Sequence, residues 1–312
     1  PRLQPFPSPA VTQSAAPRKQ PSLVSLLLLG TRPRTLPSSL VPVVIGTAVV
    51  ASGLHWGRVV ACAAVALFLQ IATNFANDYS DGVRGTDDKR RGPLRLVGSG
   101  LVSPRIVASA AATSFVLAAL VGLWLASVTS WWLLALGASA IAAGYFYTGG
   151  PKPYGYLGLG EFFVFVYFGL MATVGSSYVQ GHGIPSESWW LGSASGLLAV
   201  ALLEANNVRD RPGDEKVGKR TLAVRMGPAR APWLYVLAIS GAAASLCVAS
   251  WHLHWLLAVA IGLALMAMKP IRILRRASGL PDYIAILKAT ASLQLAFGSA
   301  TVLVLLLRSP TY

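Results

Sequence analysis

Charged residues are scarce in this sequence. Only 12% of its 312 residues are Asp, Glu, Lys or Arg, against roughly 25% in a soluble domain, while 54% are hydrophobic and the mean hydropathy is +0.58. This composition excludes an ordinary soluble globular protein. Cysteine is nearly absent, since only Cys62 and Cys247 occur and both lie in apolar runs. Neither a disulfide framework nor a thiolate metal site is indicated.

Acidic residues are fewer still. Eleven Asp and Glu face 26 Lys and Arg, which gives a net charge of +15. In a soluble chain this charge would suggest a nucleic-acid partner. In so apolar a chain we expect no nucleic acid, and we attribute the charge to membrane topology and to an anionic ligand.

Long apolar segments are abundant. A transmembrane helix needs about 20 mostly apolar residues, and nine such segments occur, at about 36–54, 59–77, 106–126, 129–147, 158–179, 188–207, 231–250, 252–268 and 289–307. If all nine cross a bilayer, 24 of the 26 basic residues lie on one side, and only Arg58 and Arg308 lie on the other. The positive-inside rule then predicts an all-α polytopic membrane protein of nine helices with a cytosolic N-terminus.

The N-terminal residues differ in composition from the rest. Residues 1–22 are rich in Pro, Ser and Gln, which predicts a disordered cytosolic tail. Residues 23–312 are predicted to form one nine-helix transmembrane domain, which begins with a short interfacial helix over 23–30.

Two clusters of acids and amides lie at the predicted cytosolic ends of the second and sixth segments. The first contains Asn74, Asn77, Asp78 and Asp81, and the second contains Asn206, Asn207, Asp210 and Asp214. Spacings of three, four and seven place residues on one helical face. In the second cluster, Pro212 and Gly213 predict that regular helix ends before Asp214.

Four carboxylates that face one cavity need a counterion, because a pair about 6 Å apart repels by roughly 2–3 kcal/mol at an effective dielectric near 20. Hard oxygen ligands favour Mg²⁺, whose coordination is usually completed by substrate phosphates. We therefore predict a magnesium site. The alternative is that these acids pair with neighbouring Lys and Arg in a solvated loop. The predicted metal ligands are Asn74, Asp78, Asp81, Asn206, Asp210 and Asp214, and the four aspartates are the predicted catalytic residues.

Basic residues follow both clusters, as binding of a diphosphate through magnesium requires. Positive-inside topology alone is the alternative explanation for most of them. The candidate substrate-binding cations are Arg84, Arg91, Arg95, Lys152, Lys216 and Lys219, of which Arg91, Lys152 and Lys216 are preferred.

Several stretches resemble the UbiA superfamily of intramembrane aromatic prenyltransferases, most closely its menaquinone-pathway branch. They cover most of the chain in order and lie at 32–37, 74–88, 92–98, 147–154, 206–214 and 218–227. One departure is that Asp78 and Asp81 are three residues apart, whereas many superfamily members have a spacing of four. Both spacings keep the two carboxylates on one helical face.

The resemblance implies nine helices around a central cavity that is open to lipid. It also implies Mg²⁺-dependent transfer of a polyprenyl group from its diphosphate to 1,4-dihydroxy-2-naphthoate, with loss of the carboxylate. Asn74, Asn77, Asn206 and Asn207 would then join the cations in binding substrate, with Tyr147 and Tyr154. Those two tyrosines, with Phe162, Phe165 and Tyr167, are also candidates to line the apolar cavity, although aromatic packing is the alternative. Glu161 and Glu204 are predicted to form structural pairs.

Two alternatives remain at this point. Another aromatic quinone precursor, such as 4-hydroxybenzoate, is a possible acceptor. An ion-coupled secondary transporter also uses repeated motifs and intramembrane acids, although its sites usually lie near the bilayer midplane. We expect a prokaryotic plasma-membrane enzyme, with membrane lipid as a partner and with its active site on the cytosolic side.

Overall fold

The regular structure is entirely helical over the residues that the computed structural model describes, which are 21–33, 35–50, 53–86, 94–181, 183–251 and 253–307. The predicted all-α class is therefore confirmed. Most of the predicted tail and Arg91 lie outside the described residues. The ten helices are α1 (Leu23–Gly30), α2 (Pro37–Val50), α3 (Trp56–Val83), α4 (Pro104–Val128), α5 (Leu133–Phe146), α6 (Gly160–Gly181), α7 (Ser186–Lys216), α8 (Leu222–Ala249), α9 (Trp255–Leu274) and α10 (Leu280–Leu306).

Seven of these helices are long and apolar enough to cross a membrane, namely α3, α4 and α6 to α10. The protein is a multi-pass membrane protein, but the predicted count of nine spans is not confirmed. Helices α2 and α5 have 14 residues each, or about 21 Å at 1.5 Å per residue, which is less than the roughly 30 Å of a hydrocarbon core.

Two helix ends differ from the sequence predictions near the second acidic cluster. Helix α7 does not end before Asp214 but continues through Pro212 to Lys216. Pro212 is exposed, so its ring removes one backbone hydrogen bond at the helix surface without disturbing a packed core. Helix α8 begins at Leu222, nine residues before the predicted segment, and kinks at Gly227, which has a φ of 76°.

Close contacts between small residues hold the central helices together, as is common in membrane proteins. Helix α7 is the most buried of the candidate spans. Gly196 of α7 crosses α6 at Gly169, where a Cβ on Gly169 would lie 2.4 Å from the Gly196 Cα. Helix α6 has a π-helical turn, Val166–Met171, over this crossing. The crossing brings the start of α6 against α7 close to the acidic cluster.

Helices α2 and α6 approach even more closely at Gly46. A Cβ at this position would lie 2.0 Å from the Thr173 carbonyl oxygen, which belongs to the backbone and cannot rotate away. We therefore expect Gly46→Ala to lower the free energy of unfolding by about 3 kcal/mol, at the upper end of the usual cost of overpacking. Thermal unfolding in detergent measures the change. In the matched control Gly122→Ala, the new Cβ has no atom within 4 Å, and equal losses in the two variants would contradict this packing.

Candidate active site

The last turns of α3 carry the first acidic cluster. Asn74, Asn77, Asp78 and Asp81 are all buried, with 2–8% of each residue exposed. The Asn74 amide donates to the Thr31 carbonyl at the end of α1 over 2.9 Å. Asn77 accepts a hydrogen bond of 2.8 Å from the Thr148 hydroxyl, beyond the end of α5. The two asparagines of the predicted cluster therefore contact different segments, the end of α1 and the segment that follows α5.

Asp78 anchors the segment that follows α3. Its two carboxylate oxygens accept hydrogen bonds of 2.9 Å from the backbone N–H groups of Leu96 and Val97. Val97 in turn packs against Gly82, where a Cβ would lie 2.5 Å from the valine Cβ. The segment is therefore folded onto the last turn of α3, which brings Arg95 over the end of this helix.

Asp81 is the point at which three connecting segments meet. One of its carboxylate oxygens accepts a hydrogen bond of 2.5 Å from the Tyr156 hydroxyl. The other lies 3.0 Å from the Lys219 ammonium and 3.7 Å from the Arg95 guanidinium. These partners follow α5, α7 and α3 respectively. Asp81 and the predicted cations Arg95 and Lys219 therefore belong to one buried cluster.

Tyr156 was not among the predicted site residues, although it lies at the centre of this cluster. It belongs to a short 3₁₀ helix, Tyr154–Leu157, and the Lys219 ammonium lies 4.6 Å from the centre of its ring. Burial, followed by the nearby Asp81 carboxylate, raises the pKa of the Tyr156 phenol well above its usual range. The phenol is therefore protonated at neutral pH and donates to Asp81. Sequence reasoning favoured Tyr154 in the same loop, because only the turn of the 3₁₀ helix decides which tyrosine faces the cations.

Backbone contacts fix the end of α7 against the same 3₁₀ helix. The Arg220 N–H donates to the Tyr156 carbonyl over 2.9 Å, and the Lys219 N–H donates to the Asp214 carbonyl over 2.9 Å. Arg84 donates to the carbonyls of Thr148 and Gly150. The segments that follow α3, α5 and α7 thus form one structural unit.

The second acidic cluster lies along the last turns of α7. Asp210 forms a bidentate pair with buried Arg209, with two N–O distances of 2.7 Å. The Asn206 amide donates to the Leu202 carbonyl of its own helix, and the Asn207 amide donates to Glu161 of α6 over 3.0 Å. Asp214 is half-buried. The second cluster is thus held by its own helix and by α6.

Lys219 connects the two acidic clusters. Its ammonium lies 3.0 Å from the Asp81 carboxylate of the first cluster, and its N–H donates to the carbonyl of Asp214 from the second cluster. Two predicted cations differ from Lys219 in their exposure, since Lys152 and Lys216 are exposed to solvent.

An aromatic row leads from this cluster along α6. The rings of Tyr147 and Tyr154 meet edge to face at 5.5 Å, Tyr154 stacks on Phe163 at 4.0 Å, and Phe163 stacks on Tyr167 at 6.2 Å. The row therefore contains three of the predicted aromatic residues and adds Phe163. Phe162, which is 62% exposed, contacts the row edge to face at Phe163, with ring centres 5.5 Å apart, whereas Phe165 packs against Gly196.

The described residues contain no ready cluster of three His, Cys, Asp or Glu side chains that could hold a metal ion. The chemistry of the donors nevertheless fits Mg²⁺, since carboxylate and amide oxygens are its preferred ligands. Mg²⁺ commonly takes one or two carboxylates and completes its shell with water and substrate phosphates. A closed protein cage is therefore not required.

Comparison with known proteins identifies the family to which the chain belongs. Residues 39–297 match the UbiA prenyltransferase family. The chain is 48% identical over 250 residues to the 1,4-dihydroxy-2-naphthoate octaprenyltransferase of Mycobacterium tuberculosis, covering 78% of this chain and 85% of that protein. It is 37% identical over 252 residues to the Escherichia coli protein of the same name, covering 78% and 80%.

Solved structures show the same fold. A UbiA homolog from Aeropyrum pernix superposes with a TM-score of 0.70 at 15% identity, covering 86% of this chain and 97% of that one. A homolog from Archaeoglobus fulgidus, bound to DMAPP and Mg²⁺, superposes with a TM-score of 0.66 at 14% identity, covering 90% and 99%. The chain belongs to the UbiA prenyltransferase family, so the predicted family and enzyme class are confirmed.

Proposed function

We propose that the protein transfers a polyprenyl group from polyprenyl diphosphate to 1,4-dihydroxy-2-naphthoate, with loss of the carboxylate as CO₂, to give the hydroquinone form of a demethylmenaquinone. The observation that carries the proposal is the meeting of Asp81 with Lys219 and Arg95, in a chain of the prenyltransferase family. The relatives named for this reaction include proteins from Mycobacterium tuberculosis, Escherichia coli and Bacillus subtilis.

The cations of the cluster are suited to bind the leaving diphosphate. Arg95 and Lys219 are largely buried, and charge-assisted hydrogen bonds from such groups to phosphate are strong. Exposed Lys152 and Lys216, with Arg84 and Arg91, would add long-range attraction for the substrate. Departure of the diphosphate requires that these positive charges offset the negative charge that develops on it.

Residues of both acidic clusters would hold Mg²⁺ through carboxylate and amide oxygens. The proposed ligands are Asn74, Asp78, Asp81, Asn206, Asp210 and Asp214, and Asn77 and Asn207 belong to the same two clusters. The bound ion would neutralise the diphosphate. Because Asp81 already faces two cations, it is also placed to keep Lys219 and Arg95 oriented before the substrate arrives.

The aromatic row is suited to the second part of the reaction. Departure of diphosphate leaves an allylic cation, which water would capture, so the reaction needs an apolar environment. The rings of Tyr154, Phe163 and Tyr167 provide this apolar environment. Aromatic rings also stabilise a positive charge that lies over a free face. The electron-rich naphthoate ring then attacks the cation. We further propose that the site faces the cytosol at a prokaryotic plasma membrane, that residues 1–22 form a cytosolic tail, and that residues 23–312 form the single catalytic domain.

The test uses the purified full-length protein in lipid nanodiscs with Mg²⁺ and polyprenyl diphosphate. We expect release of diphosphate and CO₂ when 1,4-dihydroxy-2-naphthoate is added, and loss of both when a chelator removes Mg²⁺. In competition at equal concentrations, the naphthoate should be prenylated in preference to 4-hydroxybenzoate. Preference for 4-hydroxybenzoate would overturn the assigned acceptor, and absence of turnover with both, together with ion-driven solute uptake into liposomes, would overturn the enzymatic function.

A further inference from the structure

The two carboxylate oxygens of Asp81 have different kinds of partner. One oxygen accepts a hydrogen bond of 2.5 Å from the Tyr156 hydroxyl. The other faces the Lys219 ammonium at 3.0 Å and the Arg95 guanidinium at 3.7 Å. Asp78 differs, because both of its oxygens accept hydrogen bonds from backbone N–H groups. Asp81 therefore presents one oxygen to flexible cationic side chains, while a phenol occupies the other.

Tyr156 is held beside Asp81 by contacts other than this hydrogen bond. Its carbonyl accepts from the Arg220 N–H over 2.9 Å, and its own N–H donates to the Pro153 carbonyl over 3.0 Å. The Lys219 ammonium lies 4.6 Å from the centre of its ring. The two backbone contacts do not depend on the cations. The hydroxyl therefore stays beside Asp81 when an anionic ligand attracts the cationic side chains.

Burial makes this phenol hard to replace. Asp81 is 2% exposed, so water has little access to its oxygens. A buried acceptor that loses its donor remains unpaired, which is costly. A metal ion that used both oxygens of Asp81 would have to displace the Tyr156 hydroxyl. An ion that needs only one oxygen could instead take the one that faces the cations.

Mg²⁺ and Ca²⁺ make different demands on a carboxylate. Ca²⁺ often binds both oxygens in a flexible arrangement, whereas Mg²⁺ demands a nearly ideal octahedron at short distances. The two oxygens of one carboxylate are too close together to fill adjacent corners of that octahedron without strain. We propose that Tyr156 is a positioning residue that leaves only one oxygen of Asp81 for the metal ion, so that the site selects Mg²⁺ over Ca²⁺. This inference rests on the proposed function, in which Asp81 is a ligand of Mg²⁺.

Tyr156→Phe tests the inference, because it removes only the hydroxyl and keeps the ring beside Lys219. The full-length wild type and the variant are placed in phosphatidylcholine nanodiscs with a non-hydrolysable prenyl diphosphate analogue, and Mg²⁺ or Ca²⁺ is titrated by calorimetry. We expect the Kd for Ca²⁺ to fall about tenfold in the variant, the size of one hydrogen bond to a charged group. The Kd for Mg²⁺ should stay within about threefold, because the oxygen that it needs is unchanged.

The matched control is Tyr235→Phe, which removes a buried hydroxyl that is hydrogen-bonded to Thr290 over 2.8 Å between α8 and α10. It should leave the ratio of the two dissociation constants unchanged. A tyrosine with only a structural role would alter the melting temperature but not this ratio. An unchanged ratio in a folded Tyr156→Phe protein, or an equal change of the ratio in both variants, would therefore overturn the inference.

The wild type provides a second test that does not depend on the folding of a variant. Its preference for Mg²⁺ over Ca²⁺ should exceed that of the free diphosphate analogue in solution by about tenfold, again the size of one such hydrogen bond. An equal preference would show that the protein adds no selectivity, and would overturn the inference. If the wild type with the analogue binds neither ion, the proposed magnesium-dependent function fails instead, so the two failures are distinguishable.

Discussion

Asp81→Asn is expected to lower kcat/KM for prenyl transfer by about 10³-fold, at the upper end of the range for loss of one preorganised electrostatic group. The change preserves the shape of the side chain but removes the charge that faces Lys219 at 3.0 Å and Arg95 at 3.7 Å. It also replaces a proposed carboxylate ligand of Mg²⁺ with a neutral amide, whose oxygen binds the ion more weakly. Steady-state kinetics with varied Mg²⁺ measures the effect, and the variant should need more Mg²⁺ for half-maximal activity.

A matched control tests whether the loss of any negative charge near these helix ends lowers the activity. Glu215 lies on the last turn of α7, where its side chain is 64% exposed and pairs with Arg211 at 3.5 Å. Exposed pairs of this kind contribute little, so Glu215→Gln should retain wild-type activity. If Asp81 served only to orient Lys219 and Arg95, Asp81→Asn would need the same Mg²⁺ concentration as the wild type for half-maximal activity. That result would contradict a direct role for Asp81 in binding the metal.

Asp78→Ala should also abolish most activity, but for a different physical reason. Its carboxylate holds the backbone N–H groups of Leu96 and Val97, and the Leu96 residue is 1% exposed. Removing it leaves two amides without an acceptor, so we expect about 3 kcal/mol lower stability, from hydrogen bonds to a charged group worth ~1.5–3 kcal/mol each. Thermal unfolding and limited proteolysis of residues 94–103 measure the loss.

Asp282 offers a comparison with similar hydrogen bonds but more exposure. Its carboxylate accepts from the N–H groups of Ser278 and Gly279 at the start of α10. Loss of this cap should cost only about 1 kcal/mol. An Asp78→Ala protein that is inactive, yet as stable and as protease-resistant as Asp282→Ala, would show that Asp78 acts on the metal or substrate rather than on the loop.

Much of the architecture could be predicted because hydrophobic periodicity and charge distribution both depend on the membrane. The face shared by Asn74, Asp78 and Asp81 follows from helical spacing alone, and α3 continues through Val83, beyond the predicted apolar segment at 59–77. Arg95 and Lys219 were among the candidate cations, but their pairing with Asp81 was not predicted, and Arg91, Lys152 and Lys216 were preferred. The family was predictable from the order of its motifs and is confirmed.

Other features depend on contacts that spacing does not encode. The hydrogen bonds of Asp78 involve backbone 18 and 19 residues away, and Tyr156 reaches Asp81 over 75 residues. The continuation of α7 through Pro212 reflects the exposure of that proline, which sequence alone does not give. Local rules therefore placed the two acidic clusters at the ends of α3 and α7, but they ended α7 too early and did not reveal which partners each acid meets.

The central proposal is that the ends of α3 and α7 bind one metal–diphosphate unit together. Its most direct test replaces Mg²⁺ with Fe²⁺ in the presence of a non-hydrolysable prenyl diphosphate analogue, generates hydroxyl radicals at the ion with ascorbate and peroxide, and maps backbone cleavage by mass spectrometry. We predict cuts near residues 77–84 and near 206–216 in the same preparation, both suppressed by Asp81→Asn. Cleavage confined to one of the two stretches, or unaffected by that substitution, would contradict a shared site.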